Sequence, residues 1–484
     1  MTVPSSGELS LGKIRQELET SDYSAGPYTA NATSLSGSET GLYATVNTGS
    51  PSYPDGIFPF EMSEWYDYDQ NATGSSGAMP TITGYTATPA STTISGVVFP
   101  TNPAVSYVKL TNKKYIGIAV PNAGGTSTVY AHGIDWSSAS PTVNSFTSVS
   151  TNGFVRSGRN GGIAIVRLTN TKALTFYQNG TSSTRYQILK YVGGTTSVSV
   201  EATGTISGNG GYSSGRAIVF ATNGNIHYIA LSSANPTTSN FDSYVKIYKV
   251  NYSTNTVTYI TQGQIHQGAD NSCDVTSFGE ISTNTYGLLG TSLRNTTFYG
   301  ALAYATMKFN ISTETLTVSS NLNTLQASSV HPTYTSPTGV NIATNEIILF
   351  YQINGGNNYQ ATINYDGTTT TVENNSVDSG TPAFIPRSLA HYILDGYNTP
   401  EDQMINVFTL TASSFSYRVE TVVYDSATHQ WTRQGDQTQI EANDATQNGV
   451  HGVFVLLKDP DNAMLIWCDV VNDRFEYNTF TIDN

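Results

Sequence analysis

The side chains with the most chemistry to offer are arginines, aromatics and histidines scattered between apolar runs. Arg156, Arg159, Arg294 and Arg387 carry planar guanidinium forks that match a carboxylate. Phe154, Tyr212, Phe298, Tyr299 and Tyr334 can lie against a sugar face or anchor a protein contact. His266, Asp270 and His331 add donors and acceptors beside them. Singly, each is ordinary loop filling. Gathered on one face of a rigid scaffold, they would make a recognition surface.

Catalysis needs tighter patterns than these. The histidines show neither His-x-x-x-His nor His-Glu-x-x-His spacing, so no metal is expected. No P-loop or dinucleotide fingerprint follows a strand, so no cofactor is expected. A sialidase-type site would need its arginine cluster together with Ser-x-Asp-x-Gly-x-Thr-Trp repeats. Tyr365-Asp366-Gly367-Thr368-Thr369 and Asp425-Ser426-Ala427-Thr428-His429-Gln430-Trp431-Thr432 both lack that pattern. The second is similar to the Tyr-Asp-x-x-Thr-x-x-Trp strand of kelch blades, without the Gly-Gly doublet. No catalytic motif is left, and the expectation is a protein without enzymatic activity.

The elements that would position these side chains follow from a repeat. A Thr-Asn pair stands between two apolar runs at Thr111-Asn112, Thr169-Asn170, Thr222-Asn223, Thr283-Asn284 and Thr344-Asn345, at intervals of 58, 53, 61 and 61 residues. The same step reaches Asn398-Thr399-Pro400 and then Asp459-Pro460, giving seven units. Asn and Asp suit such turns because they tolerate the left-handed backbone region. Flanking runs such as Ile163-Ala164-Ile165-Val166 and Ile347-Ile348-Leu349-Phe350 are short and continuously apolar, as strands buried on both faces are. A more polar hairpin follows in each unit, for example Val245–Val250 with Thr256–Thr261. This pattern predicts an all-β fold, a seven-bladed β-propeller with four-stranded blades. The Thr-Asn turns then lie at the end opposite loops such as 150–161, 207–215, 266–275, 293–300, 327–338 and 378–388, which hold the candidate residues.

The seventh unit lacks one outer strand before the chain ends. Thr92–Phe99, upstream of the first unit, is expected to complete it, a shared-strand closure that removes an exposed edge. The domains expected are an arm at 1–70, a linker at 71–91 and the propeller at 92–484. The arm does not share the period. It holds one or two short helices, with Leu11, Ile14 and Leu18 on one face of the first and Phe60, Met62, Trp65 and Tyr66 around a second cap at Ser63. Patches this small cannot form a core alone and should dock onto another surface.

The opening Pro4-Ser5-Ser6-Gly7-Glu8-Leu9-Ser10-Leu11-Gly12-Lys13-Ile14, followed by Phe60-Glu61-Met62-Ser63-Glu64-Trp65-Tyr66, resembles the N-termini of structural proteins in tailed-bacteriophage virions. It departs from them by a longer insert between the two parts and by Phe60-Glu61 in place of Ile-Ser. The resemblance implies a fibre, tail or decoration protein on the particle, held to other virion proteins through residues 1–70. The propeller would then face a host glycan or receptor. A glycan-processing enzyme and a purely architectural component are the alternatives.

Composition sets outer bounds. The 484 residues carry 21 Lys and Arg against 35 Asp and Glu, a net charge of −14 with no basic cluster, which argues against nucleic acid. No apolar run reaches membrane-spanning length, and the start has no secretory signal pattern. Cys273 and Cys468, the two cysteines, are expected to be inert buried thiols. Nothing in the sequence specifies an oligomer.

Overall fold

The computed structural model describes residues 81–84, 90–93 and, between 104 and 483, the strands and most short turns. The arm and connections such as 156–162, 207–211, 270–272, 295–299, 331–337 and 378–388 lie outside the described residues, as do the side chains of 389–453. The expected arm helices therefore fall outside them.

The described chain is all-β and propeller-like, built from antiparallel sheets in chain order. Ala104–Thr111, Lys114–Val120, Gly125–Asp135 and Thr147–Val155 form the first group of four strands. Ile163–Arg167, Lys172–Asn179, Ser183–Val192 and Ser197–Ile206 form the second, joined to the first at the Phe154–Gln178 pair. The third is Tyr212–Asn223, Ile226–Pro236, Phe241–Asn251 and Thr256–Ala269. The fourth is Cys273–Ser282, Thr285–Arg294 and Gly300–Asn310, its outer strand split into Thr315–Val318 and Asn323–Val330. Thr338–Ala343 opens the fifth, Leu389–Ile393 the sixth, and Phe454–Asp459 with Asn462–Asp469 and Arg474–Asp483 the seventh.

The turn chemistry read from the sequence is visible in the backbone. Asn284 and Asn345 take φ of 60° and 70°, and after Thr222-Asn223 it is Gly224 that turns left-handed, at 58°. Each turn is tied to the end of its group's third strand by one backbone bond. Trp136 N–H donates to Lys113 O (2.7 Å), Tyr191 to Thr171 (2.8 Å), Tyr252 to Asn225 (3.2 Å), Ile311 to Asn284 (2.9 Å) and Tyr365 to Asn345 (2.9 Å). One end of every one of these five groups is thus a compact pair of turns.

The apolar second strands are buried on both faces, as their continuous runs require. Ile116, Ile118, Ile347, Ile348 and Leu349 are all 0% exposed. The apolar clusters lie between successive groups: Val245, Ile265, Val275, Leu288 and Met307 fill the space between the third and fourth. First strands touch in sequence from the first group to the seventh, and Phe454–Asp459 lies against Ala104–Thr111.

The last strand, Arg474–Asp483, receives Ala90–Thr93 in antiparallel register, Thr92 opposite Phe475 and Ala90 opposite Tyr477. The described part of the N-proximal strand therefore starts two residues before the expected Thr92–Phe99 and includes Thr92 and Thr93 of it; residues 94–99 lie outside the described residues. Thr81–Thr83 pairs with the same strand. The stretch 71–91, expected to be linker, thus contributes strand at 81–83 and 90–91. An outermost strand adds mainly backbone bonds, so its composition need not look strand-like.

Candidate binding site at the bulged strand of the third group

Antiparallel order places the longer connections at the end away from the Asn turns. Phe154 lies opposite Thr126 and Gln178, Tyr212 opposite Ala234, and Arg294 opposite Ala301, all at that end of their strands. His266 lies opposite Ser243 there, but its side chain is buried, 8% exposed. Arg156, Arg159, Asp270, Phe298, Tyr299, His331, Tyr334 and Arg387 lie outside the described residues, as do Leu11, Ile14, Leu18, Phe60, Met62, Trp65 and Tyr66 of the arm.

At this same end the interface between the third and fourth groups changes character. Its turn-side half is apolar, whereas Ser232, Ser233, Ser243, Ser292, Thr291 and Asp274 are buried toward the connection side. Ser243 Oγ donates to Ser292 Oγ at 2.8 Å, and Ser232 Oγ lies 3.2 Å from Cys273 O and 3.3 Å from Arg216 O. Buried polar groups mostly persist when paired, as Ser232, Ser243, Ser292 and Asp274 are, whereas Thr291 Oγ1 has no hydrogen-bond partner among the described residues.

Arg216 is the cationic centre of this region, and the sequence reading missed it. Ser213 pairs with Ser233 and Ala217 with Leu231, so the third group's first strand carries extra residues between them. Such a bulge bends the strand and re-aims a side chain. Ser232, across from the bulge, caps the Arg216 carbonyl. Arg216 Nη1 donates to Asp274 Oδ2 at 2.9 Å, on the first strand of the fourth group, and to Gly339 O at 3.1 Å, on that of the fifth. Thr276 Oγ1 donates to the same Gly339 carbonyl at 3.2 Å. One guanidinium therefore connects three successive first strands.

Burial pushes the Asp274 carboxyl up, and the Arg216 charge and the Val275 N–H (2.7 Å) work against that rise. The Asp274 side chain is 5% exposed and Arg216 34%, so the cation reaches solvent while its partner does not. The signal in the sequence was a charge of each sign, 58 positions apart, at the head of two apolar strand runs.

Two other polar clusters are satisfied internally. Arg474 bonds Asp469 (3.2 Å) and Glu476, and Glu476 also accepts from Trp467 Nε1 (3.1 Å), so its donors and acceptors serve one another. On the turn side, a cleft of about 350 Å³ is lined by Ser282, Thr285, Lys308, Asn310, Thr313 and Asp366. There Asn310 and Asp366 cap their own turns and Lys308 Nζ donates to Gly367 O. Among the described residues no group of three His, Cys, Asp or Glu side chains is placed to hold a metal. Cys273 and Cys468 are both buried and not joined in a disulfide.

No protein-family model matches the chain, and no curated protein sequence does. Among solved structures, the core factor of S. cerevisiae is similar over 84% of this chain and 62% of its own, at 8% identity and a TM-score of 0.47. This chain thus spans less than two thirds of that one. The α-L-arabinofuranosidase Arb93A of Fusarium graminearum is similar over 66% of this chain and 92% of its own, at 11% identity and a TM-score of 0.38. The NanB sialidase of Streptococcus pneumoniae is similar over 82% and 70%, at 10% identity and a TM-score of 0.41. Since two of these three are enzymes, the expectation that the chain has no enzymatic activity is withdrawn.

Proposed function

We propose that the seven four-stranded groups are the blades of a closed seven-bladed β-propeller, and that the protein is a tailed-bacteriophage virion component. Residues 1–70 hold it to the particle, and the connection end of the propeller meets a glycan or receptor on the host surface. The observation that carries this reading is the closure. First strands follow one another until Phe454–Asp459 meets Ala104–Thr111, and Ala90–Thr93 pairs with the final strand. A ring locked by its N-proximal strand is a rigid platform. The virion assignment itself rests on the resemblance of Pro4–Ile14 and Phe60–Tyr66.

Particle assembly tests it. A chain lacking residues 1–70 should fold and stay soluble but fail to join particles, as read by immunoblot of purified virions. Incorporation of the truncated chain at the full-length level would overturn the anchoring role. Incubating the full chain with host polysaccharide and assaying both retention and reducing ends reads recognition and turnover together.

A further inference from the structure

The Arg216 guanidinium is more elaborate than a latch requires. Holding the three first strands uses Nη1 alone, through Asp274 Oδ2 and Gly339 O. Among the described residues Nε and Nη2 make no hydrogen bond, and they form the edge that donates to two oxygens side by side. The bulge aims the side chain, Ser232 fixes the bulge, and buried Asp274 fixes the plane of the fork. With one edge anchored, the other is held in place before any ligand arrives, which lowers the entropic cost of binding.

Charge narrows the ligand. The Arg216–Asp274 pair is formally neutral, so one carboxylate leaves the site at −1, and a phosphate dianion would leave it at −2. The chain's net charge of −14 also opposes densely charged anions. We infer that Arg216, braced by Asp274 at the bulge, is the binding site for a single carboxylate carried by an acidic sugar residue of the recognised glycan. The sugar rests on the proposed glycan-facing role of this end, and the carboxylate rests on the fork alone.

The test is calorimetric titration of the full-length protein with trigalacturonate, galactotriose, inorganic phosphate and N-acetylglutamate amide. Trigalacturonate should bind at least tenfold more tightly than galactotriose or phosphate. Arg216→Lys keeps the charge and loses the fork, and should weaken trigalacturonate at least tenfold while the thermal midpoint stays close to the parent. Arg216→Met with Asp274→Asn leaves no buried charge unpaired and should also lose binding. Undetectable trigalacturonate binding, equal affinity for galactotriose, unchanged affinity in Arg216→Lys, or preference for N-acetylglutamate amide would each overturn the assignment. Particle incorporation does not involve Arg216, so failure of this site and failure of the anchoring role are read separately.

Discussion

Arg216 and Asp274 stand 58 residues apart and meet at 2.9 Å across two adjacent groups of strands. Their separation is close to the 61-residue step between the Thr222-Asn223 and Thr283-Asn284 turns of the same two groups, and both charges lie near the head of a first strand. Removing one partner strands the other. Arg216→Ala leaves a carboxylate that is 5% exposed without its cation. Breaking a buried pair usually costs about 3–5 kcal/mol, and Arg216, 34% exposed, places this one near the lower end. The double change Arg216→Met with Asp274→Asn should recover most of that loss. Urea unfolding of the three variants checks both statements.

Closure makes a different demand. Ala90–Thr93 covers the outer edge of Arg474–Asp483, and Thr81–Thr83 pairs there as well. Deleting residues 1–70 spares both strands, whereas deleting 1–93 exposes that edge, a template for association with another chain. The shorter deletion should melt like the parent. The longer one should melt several degrees lower and scatter light on heating. Equal midpoints for the two would show that the shared strand adds no stability.

The scaffold was legible where the backbone leaves few choices. A left-handed turn residue must be Asn, Asp or Gly in most cases, so Asn284, Asn345 and Gly224 announce their turns, and the runs between them must be strands. Ala90–Thr93 was less visible. Thr92 and Thr93 of the expected strand are in the pairing, and Ala90 and Ser91 before them were not expected there, because the rim of a sheet buries little and accepts Ala-Ser-Thr-Thr. Arg216 was hidden for another reason. Its role depends on a bulge, which is a property of the pairing register, and one strand's sequence does not display it. The burial of His266 was equally unreadable, because it is decided by residues far away in the sequence.

Acid should loosen the junction of the first and seventh groups. His132 is 1% exposed, stacked on Phe146 at 3.7 Å, with Nδ1–H donating to Asn144 O at 3.0 Å and Nε2 accepting from Tyr107 O–H at 3.2 Å. Burial lowers its pKa from 6.5 to about 4. A folded-state value below the unfolded one means that the neutral ring's contribution is complete above pH 6.5. It is lost as the pH falls toward 4, by roughly 3 kcal/mol in all. His132→Asn retains a donor for Asn144 and cannot titrate, so it should be less stable at pH 7 and lose less between pH 7 and pH 4. Parallel stability-against-pH curves for the two proteins would contradict this. Gly117→Ala tests the same packing, because an added methyl would collide with both His132 and Tyr107.

Lys246 should respond in the alkaline range. It sits on the third strand of the third group, opposite Leu231 and Gln262, and is 2% exposed. Burial lowers its pKa from 10.5 to about 8, and the nearby Cys273 acts in the opposite sense. The native state therefore favours the neutral amine. Relative to an untitratable side chain, Lys246 lowers stability by up to roughly 3 kcal/mol below pH 8, and the deficit closes as the pH rises to 10.5. Lys246→Met, similar in length and apolar, should raise the urea midpoint at pH 7 by an amount that shrinks steadily between pH 8 and pH 10.5. Taking the difference between variant and parent at each pH cancels the titration of the tyrosines common to both. A gap that stays constant across this range would mean that the buried amine is not the source of the effect, and a lower midpoint for Lys246→Met at pH 7 would mean that its hydrogen bonds outweigh the cost of burying its charge.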